Sequence, residues 1–423
     1  RLKILWGIKH NRNLKTPMTS KMKRSHGIIL VTLAALFSLS SCEKVDGGEL
    51  KKDKDGEPPV CAEKFPEFSW DHIPRYMHIY KTTSFTDKEL DYLAAFPLIT
   101  FEKATGIREG SVQQGTLKAA RGVKKRNPKA TILYYKNLVI DWGGSAASEE
   151  LKNIQGGYLK SEDGSYPVHK EINQRKFFDI SLPEVRDWWL ADAKRMLSDP
   201  SIDGLFVDAN VKILVGSYFA QGQKTGAKKA EQIIKGYEQL LNRFDKELRN
   251  EHLIFANIVR ARFKDGGLGY MTHFDGSYME TFEHNVGGVS KKDYVAQNIA
   301  HGQKTAREGK ILAFTLEVEQ ALNEAASRVG DDFEADQTFN DRLNYATAIF
   351  LVMAEKHSYF LPHSGYGVTK NNHLWRKTPS VFKQKLGPPK GPATKKGYIY
   401  TREFEHCSVW LDIENEKATL TWK

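Results

Sequence analysis

The sequence is poor in the residues that hold metals, redox centres and phosphates. It has three cysteines in 423 residues, none in a Cys-x-x-Cys pair and none grouped with histidine, so no zinc site is expected. His169, His284 and His363 lack metal-ligand spacing and read as loop residues or substrate contacts. No glycine-rich phosphate loop follows the first candidate strand, which argues against a doubly wound nucleotide-binding sheet. Acidic residues are missing from the first 41 positions, which carry eight Lys and Arg; of the net charge of +11, only +3 is left for everything that follows. A chain so nearly balanced has no electrostatic claim on nucleic acid, and none is expected as a partner.

The basic, acid-free start has a form of its own. Arg1 is not a natural first residue, and Met18 or Met22 is the expected start. Lys23 and Arg24 then precede an apolar stretch, Ile28 to Leu39, too short for a typical membrane span, that closes on Leu39-Ser-Ser-Cys42. Residues 1–41 read as leader and lipoprotein signal peptide, with Cys42 the lipidated residue; an ordinary cleaved signal is the alternative. Residues 42–69, polar and rich in Lys, Asp and Gly at their start, read as a flexible tether. The expected location is the bacterial cell envelope, lipid-anchored at the outer membrane and facing either the periplasm or the exterior. Cys61 and Cys407 could pair in an oxidising compartment, but Cys407 lies in an apparent strand, where burial alone accounts for it.

From residue 70 to about 380, short apolar runs alternate with longer amphipathic ones. Strands are expected at Tyr76–Tyr80, Leu98–Glu102, Thr131–Asn137, Gly204–Asp208, Leu253–Asn257, Gly276–Glu280, Ile311–Glu317 and Ser358–Leu361. Helical patterns lie at 86–95, where Thr86 and Glu89 form a capping box, and at 183–197, 228–250 and 341–354. Eight strands alternating with helices predict an α/β fold, a (β/α)8 TIM barrel. After the breaker cluster Leu386-Gly-Pro-Pro-Lys-Gly-Pro392, three alternating runs predict a small antiparallel β-sheet unit at 381–423.

The polar residues fall at one end of these strands. Asp208 closes the apolar run Leu205-Phe-Val, and Glu280 closes a similar run about seventy residues later. A buried strand that delivers a carboxylate at its end places it at the mouth where barrels do chemistry. Two such groups are what hydrolysis of a glycosidic bond requires: one a nucleophile or base, the other a general acid. Asp208 and Glu280 are the candidate catalytic pair, with Glu283 and Glu317 as competitors for the second role. Asp203 and Asp275 each precede a glycine at a strand entry and are accounted for by turn formation. Tyr80, Glu102, Asn137, Trp142, Asn257, Tyr278 and Glu317 are candidate substrate-binding residues, the amides through sugar hydroxyls and the aromatics by stacking on sugar faces. No cofactor or metal is called for, and the expected partner is a carbohydrate.

The chain resembles a hypothetical glycosyl hydrolase family for which a TIM barrel is expected. The likeness is carried by Phe178-Asp-Ile-Ser-Leu-Pro-Glu-Val-Arg-Asp-Trp-Trp189, by Asp203-Gly-Leu-Phe-Val-Asp208 and by Asp275-Gly-Ser-Tyr-Met-Glu280. Gly397 to Glu405 and Ser408 to Asp412 look like that family's closing segment. The resemblance implies hydrolysis of O-glycosyl bonds, carried over onto Asp208 and Glu280 only, and supplies no substrate. Two other readings stand beside it: a non-catalytic, cell-surface glycan-binding lipoprotein on the same scaffold, and a barrel lyase or aldolase, for which Lys136 lies near a strand end.

Overall fold

The computed structural model describes residues 64–169, 175–284, 288–318, 337–368 and 378–423. Cys42, Cys61 and the leader lie outside them. Residues 59–423 form one compact unit.

Eight parallel strands make the centre: β1 (Tyr76–Ile79), β2 (Leu98–Phe101), β3 (Thr131–Asn137), β4 (Gly204–Asp208), β5 (Leu253–Asn257), β6 (Gly276–Met279), β7 (Ile311–Glu317) and β8 (Ser358–His363). Each pairs with the next in chain order. The ring closes where Arg75 bridges Phe360 in parallel and the Phe360 N–H donates to the Pro74 carbonyl at 2.9 Å. Helices α1 (Asp87–Leu93), α2 (Val112–Arg126), α3 (Pro183–Leu197), α4 (Gly226–Glu247), α5 (Lys291–Arg307) and α6 (Gln337–Met353) lie between strands. The expected (β/α)8 barrel is the fold.

Strand alternation divides the apolar residues into two cores. Tyr76, Leu133, Tyr135, Phe206, Phe255, Tyr278 and Tyr359 fill the barrel interior. Their neighbours in sequence, among them Met77, Ile132, Val207 and Ala256, face the helices. At α1 the expected capping box is present: the Thr86 side chain accepts from Glu89 N–H, and the Glu89 carboxylate accepts from Thr86 N–H.

Two strands begin with the same device. Asp203 Oδ2 accepts from the Ile132 N–H at 2.7 Å, and Asp275 Oδ2 accepts from the Ile254 N–H at 2.9 Å. In each case the carboxylate holds the preceding strand, so these two residues do more than shape a turn. The glycine that follows lets the next strand approach: a Cβ on Gly204 would stand 2.2 Å from the Leu253 carbonyl oxygen, and one on Gly276 2.4 Å from that of Ile311.

The C-terminal unit is a four-stranded antiparallel sheet of β9 (Thr394–Lys396), β10 (Ile399–Glu403), β11 (Cys407–Asp412) and β12 (Lys417–Trp422). Cys407 is buried in it. The sheet packs on α6, whose residues from Tyr345 to Met353 are all buried, because the barrel covers one side and this sheet the other. Arg402, buried between them, donates to the carbonyls of Leu351 (3.0 Å) and Ala354 and to Glu355 (3.1 Å).

Candidate active site

The C-terminal ends of β2 to β6 bring five charged side chains to one mouth, those of Glu102, Lys103, Asp208, Arg260 and Glu280. Asp208, at the end of β4, is half-buried and well supplied with donors. Its Oδ2 accepts from the Tyr135 hydroxyl at 2.5 Å and from Asn137 Nδ2 at 3.2 Å, and its Oδ1 accepts from Asn257 Nδ2 at 3.1 Å. Burial, together with the Asp208 charge, keeps the Tyr135 phenol well above its usual range, so it remains a donor. Glu280, just past β6, accepts on Oε1 from Asn257 Nδ2 at 2.9 Å and from Arg260 at 3.1 Å. The two carboxylates predicted from sequence are therefore neighbours that share a donor.

Backbone geometry sets these two positions apart. Ala209 and Thr281, the residues directly after Asp208 and Glu280, both adopt left-handed conformations, with φ of 73° and 54°. For Ala, and more so for β-branched Thr, this costs about 1–2 kcal/mol. Such strain is retained where the surrounding structure has a use for it. Its occurrence beside both carboxylates is the same solution reached twice.

A third carboxylate, Glu102, lies beyond β2 and is buried. Its partners are His78 Nε2 at 3.2 Å and Lys103 at 2.6 Å. Burial alone would raise this group, but Lys103 and His78 outweigh it and hold Glu102 at about 2. Lys103 in turn would be lowered by burial, yet the charges of Glu102, Asp208 and Glu280 raise it. Its ammonium stands 4.9 Å from the Trp142 ring centre and 5.3 Å from that of Tyr135. The Trp142 indole N–H donates to the Tyr135 hydroxyl at 3.1 Å. His78, on the inner face of β1, stacks on Tyr278 with ring centres 5.2 Å apart.

The remaining predicted residues divide. Asn137 and Asn257 are spent within the protein rather than held ready for sugar hydroxyls: Asn137 Oδ1 accepts from the N–H groups of Val139 and Ile140, and Asn257 Oδ1 accepts from Arg260 at 2.9 Å. The Tyr278 hydroxyl meets that of Tyr366 at 2.6 Å, and Tyr366 meets His363 Nε2 at 3.3 Å. Burial first, and then the neighbouring His78, pull His363 down to about 3. Tyr80 lies at the β1–β8 seam with its ring against Gly367. Glu317 is exposed at the rim; its backbone carbonyl, not its carboxylate, is held by Arg342. Glu283 is not in the cluster, being paired with Arg342 and Lys291. Lys136 points outward to a buried ion pair with Asp192 of α3, which removes the basis for a Lys136 aldolase. His78, Lys103 and Arg260 were not singled out by sequence. Alternation on β1 could have found His78, two positions after inward Tyr76, whereas the two cations lie in loops where charge is ordinary.

The motif on α3 explains itself here. The Trp189 indole N–H donates to the Asn137 carbonyl at 2.8 Å, and that of Trp188 to the Ala147 carbonyl at 2.7 Å. Both tryptophans fasten the β3 end and the loop that carries Trp142.

A (β/α)8 barrel with a carboxylate pair at its C-terminal mouth defines the class. The family model described as hypothetical glycosyl hydrolase family 15 matches residues 124–408, and the chain belongs to that family. Among solved structures it is similar to a maltogenic α-amylase, AmyB, from Thermotoga neapolitana (11% identity, 80% of this chain and 86% of that chain, TM-score 0.44). It is also similar to the α-galactosidase AgaA from Geobacillus stearothermophilus in complex with stachyose (8%, 80% and 47%, 0.43) and to Ega3 from Aspergillus fumigatus in complex with galactosamine (11%, 70% and 95%, 0.42). At this level the likeness assigns no residue and no substrate. No curated protein matches the sequence.

Proposed function

We propose that the protein hydrolyses O-glycosidic bonds of a poly- or oligosaccharide, with Asp208 and Glu280 as the two carboxylates of the reaction. The observation that carries this reading is their shared donor, Asn257 Nδ2, at strand ends where both are followed by strained left-handed residues. Asp208, held by three uncharged donors, is suited to act as the anion at the anomeric carbon. Glu280 is suited to protonate the leaving oxygen, and Trp142, beside the Lys103 ammonium, to lie under a sugar face.

The test is sugar release from a broad polysaccharide panel by the detergent-solubilised chain and its Asp208→Asn and Glu280→Gln variants. The expected result is release by the parent that falls about 10³-fold in each folded variant. Absence of release from every glycan, with binding of one of them unchanged in both variants, would instead identify a glycan-binding barrel.

A further inference from the structure

Asn257 does more than stand between two acids. Its Nδ2 donates to Asp208 Oδ1 at 3.1 Å and to Glu280 Oε1 at 2.9 Å. The direction of the amide is fixed, because its Oδ1 accepts from Arg260 at 2.9 Å and a guanidinium can only donate. A planar amide sends its two N–H bonds about 120° apart, so acceptors at these distances lie about 5 Å from one another. A bridge through a single nitrogen keeps these two facing oxygens within about 6 Å even if the bonds were straightened. Carboxylates at ~5–5.5 Å leave no place for a water between acid and sugar, whereas an inverting pair needs ~6.5–9.5 Å.

We propose that Asn257 is the positioning residue that sets this spacing, and that the reaction it imposes is double displacement with retention of anomeric configuration. The proposal rests on the glycosidase reading above. In the first step an electron pair of Asp208 Oδ1 forms a bond to the anomeric carbon as the bond from that carbon to the leaving oxygen breaks. Glu280, protonated at this stage, gives its proton to that oxygen. In the second step the Glu280 carboxylate takes a proton from water as the water oxygen attacks the same carbon. The ester bond to Asp208 breaks, and its electron pair returns to the carboxylate. Water is the one co-reactant, and two inversions at carbon give net retention. Arg260 belongs to the same unit: by fixing the Asn257 oxygen it directs both N–H bonds, and it also contacts Glu280 in the ionised form that the second step uses.

The first measurement is proton NMR of the anomer released from whichever glycan of the panel is cleaved, read before mutarotation. The parent is expected to release the anomer of the substrate. The second is intact-protein mass after exposure to a set of 2,4-dinitrophenyl 2-deoxy-2-fluoroglycosides in both anomeric forms. One glycosyl unit is expected on the parent, mapped to Asp208. The third is Asn257→Leu, a change of similar size that removes the shared donor and adds no charge. It should lower kcat about 100-fold with KM little changed and shift the pH profile, while the melting temperature stays near that of the parent. An Asn257 that merely supports the fold would lower the melting temperature and leave the pH profile in place. Release of the inverted anomer would overturn retention while leaving the hydrolase intact. No release from any glycan and no labelling would remove the hydrolase reading, and this one with it.

Discussion

Glu102 shows how far one residue depends on its neighbours. Its carboxylate is buried between the His78 imidazole and the Lys103 ammonium, and both side chains are held in place by it. Glu102→Gln keeps the shape and leaves the Lys103 ammonium without its counter-charge, so a loss of about 3–5 kcal/mol is expected in urea unfolding at pH 7. The sign of the pH dependence follows from a folded-state value of about 2, against an ordinary 4.5. A depressed acid contributes its stability above the ordinary value and loses it as pH falls towards the folded one. The gap between parent and variant should therefore be full above about pH 4.5 and close as pH approaches about 2. A gap of the same size at pH 3 and pH 7 would show that the pairing contributes nothing. The places of Asp208 and Glu280 at the mouth could be read from sequence because each closes a buried strand. Lys103 and Arg260 could not, since a charged residue in a loop is the usual case. Glu317 has the same inward parity on β7 as Thr315, yet it reaches past the sheet to the rim and is exposed. A polar strand end predicts direction but not depth.

At the scale of the element, β4 and β6 are built alike, with an Asp-Gly entry that binds the preceding strand and a carboxylate exit at the mouth. The entry acids lie at the opposite end from the candidate site, and their loss should tell on stability alone. Asp275 is buried and also pairs with Lys64 and Arg249, whereas Asp203 is partly exposed and pairs with Lys124. Asp203→Ala is expected to cost about 1–3 kcal/mol, the penalty for an unpaired strand N–H, and Asp275→Ala more, since two cations also lose their partner. Urea unfolding of both variants, with kcat measured beside it, checks the order and the separation from activity. Equal losses, or a large fall in kcat for Asp203→Ala with the fold intact, would contradict this division of labour. The strands stood out in the sequence because each is a continuous apolar run, buried on both faces. Helix α5 did not, because its buried side mixes Tyr294, Val295 and Ile299 with Asn298, Gly302, Thr305 and Ala306, which blurs the apolar face. Helix α2 was also passed over, although Val112, Thr116, Ala119 and Val123 lie on one face of it.

At the scale of the whole molecule, the C-terminal sheet is tied to the barrel by Arg402 more than by any surface ion pair. Its guanidinium is 1% exposed and satisfies carbonyls at the end of α6 that no water reaches. Arg402→Met would fill similar space but strand those carbonyls and Glu355. A loss of about 3 kcal/mol is expected, read as an early unfolding phase of the sheet in hydrogen exchange. Exchange at β10–β12 that stays as slow as in the parent would rule this out. The sequence showed that the closing runs are strands, but not that they cover α6, because burial on both sides of a helix requires knowing what its second side meets.

That cover has a consequence for synthesis. The run from Tyr345 to Met353 emerges from the ribosome some seventy residues before Trp422, the end of the last strand laid over it. Until that strand arrives, α6 carries an oily back that belongs against protein and has only solvent or a chaperone to face. The barrel can assemble its strands in order, but it cannot be left at rest in the cell until that closing sheet has been made.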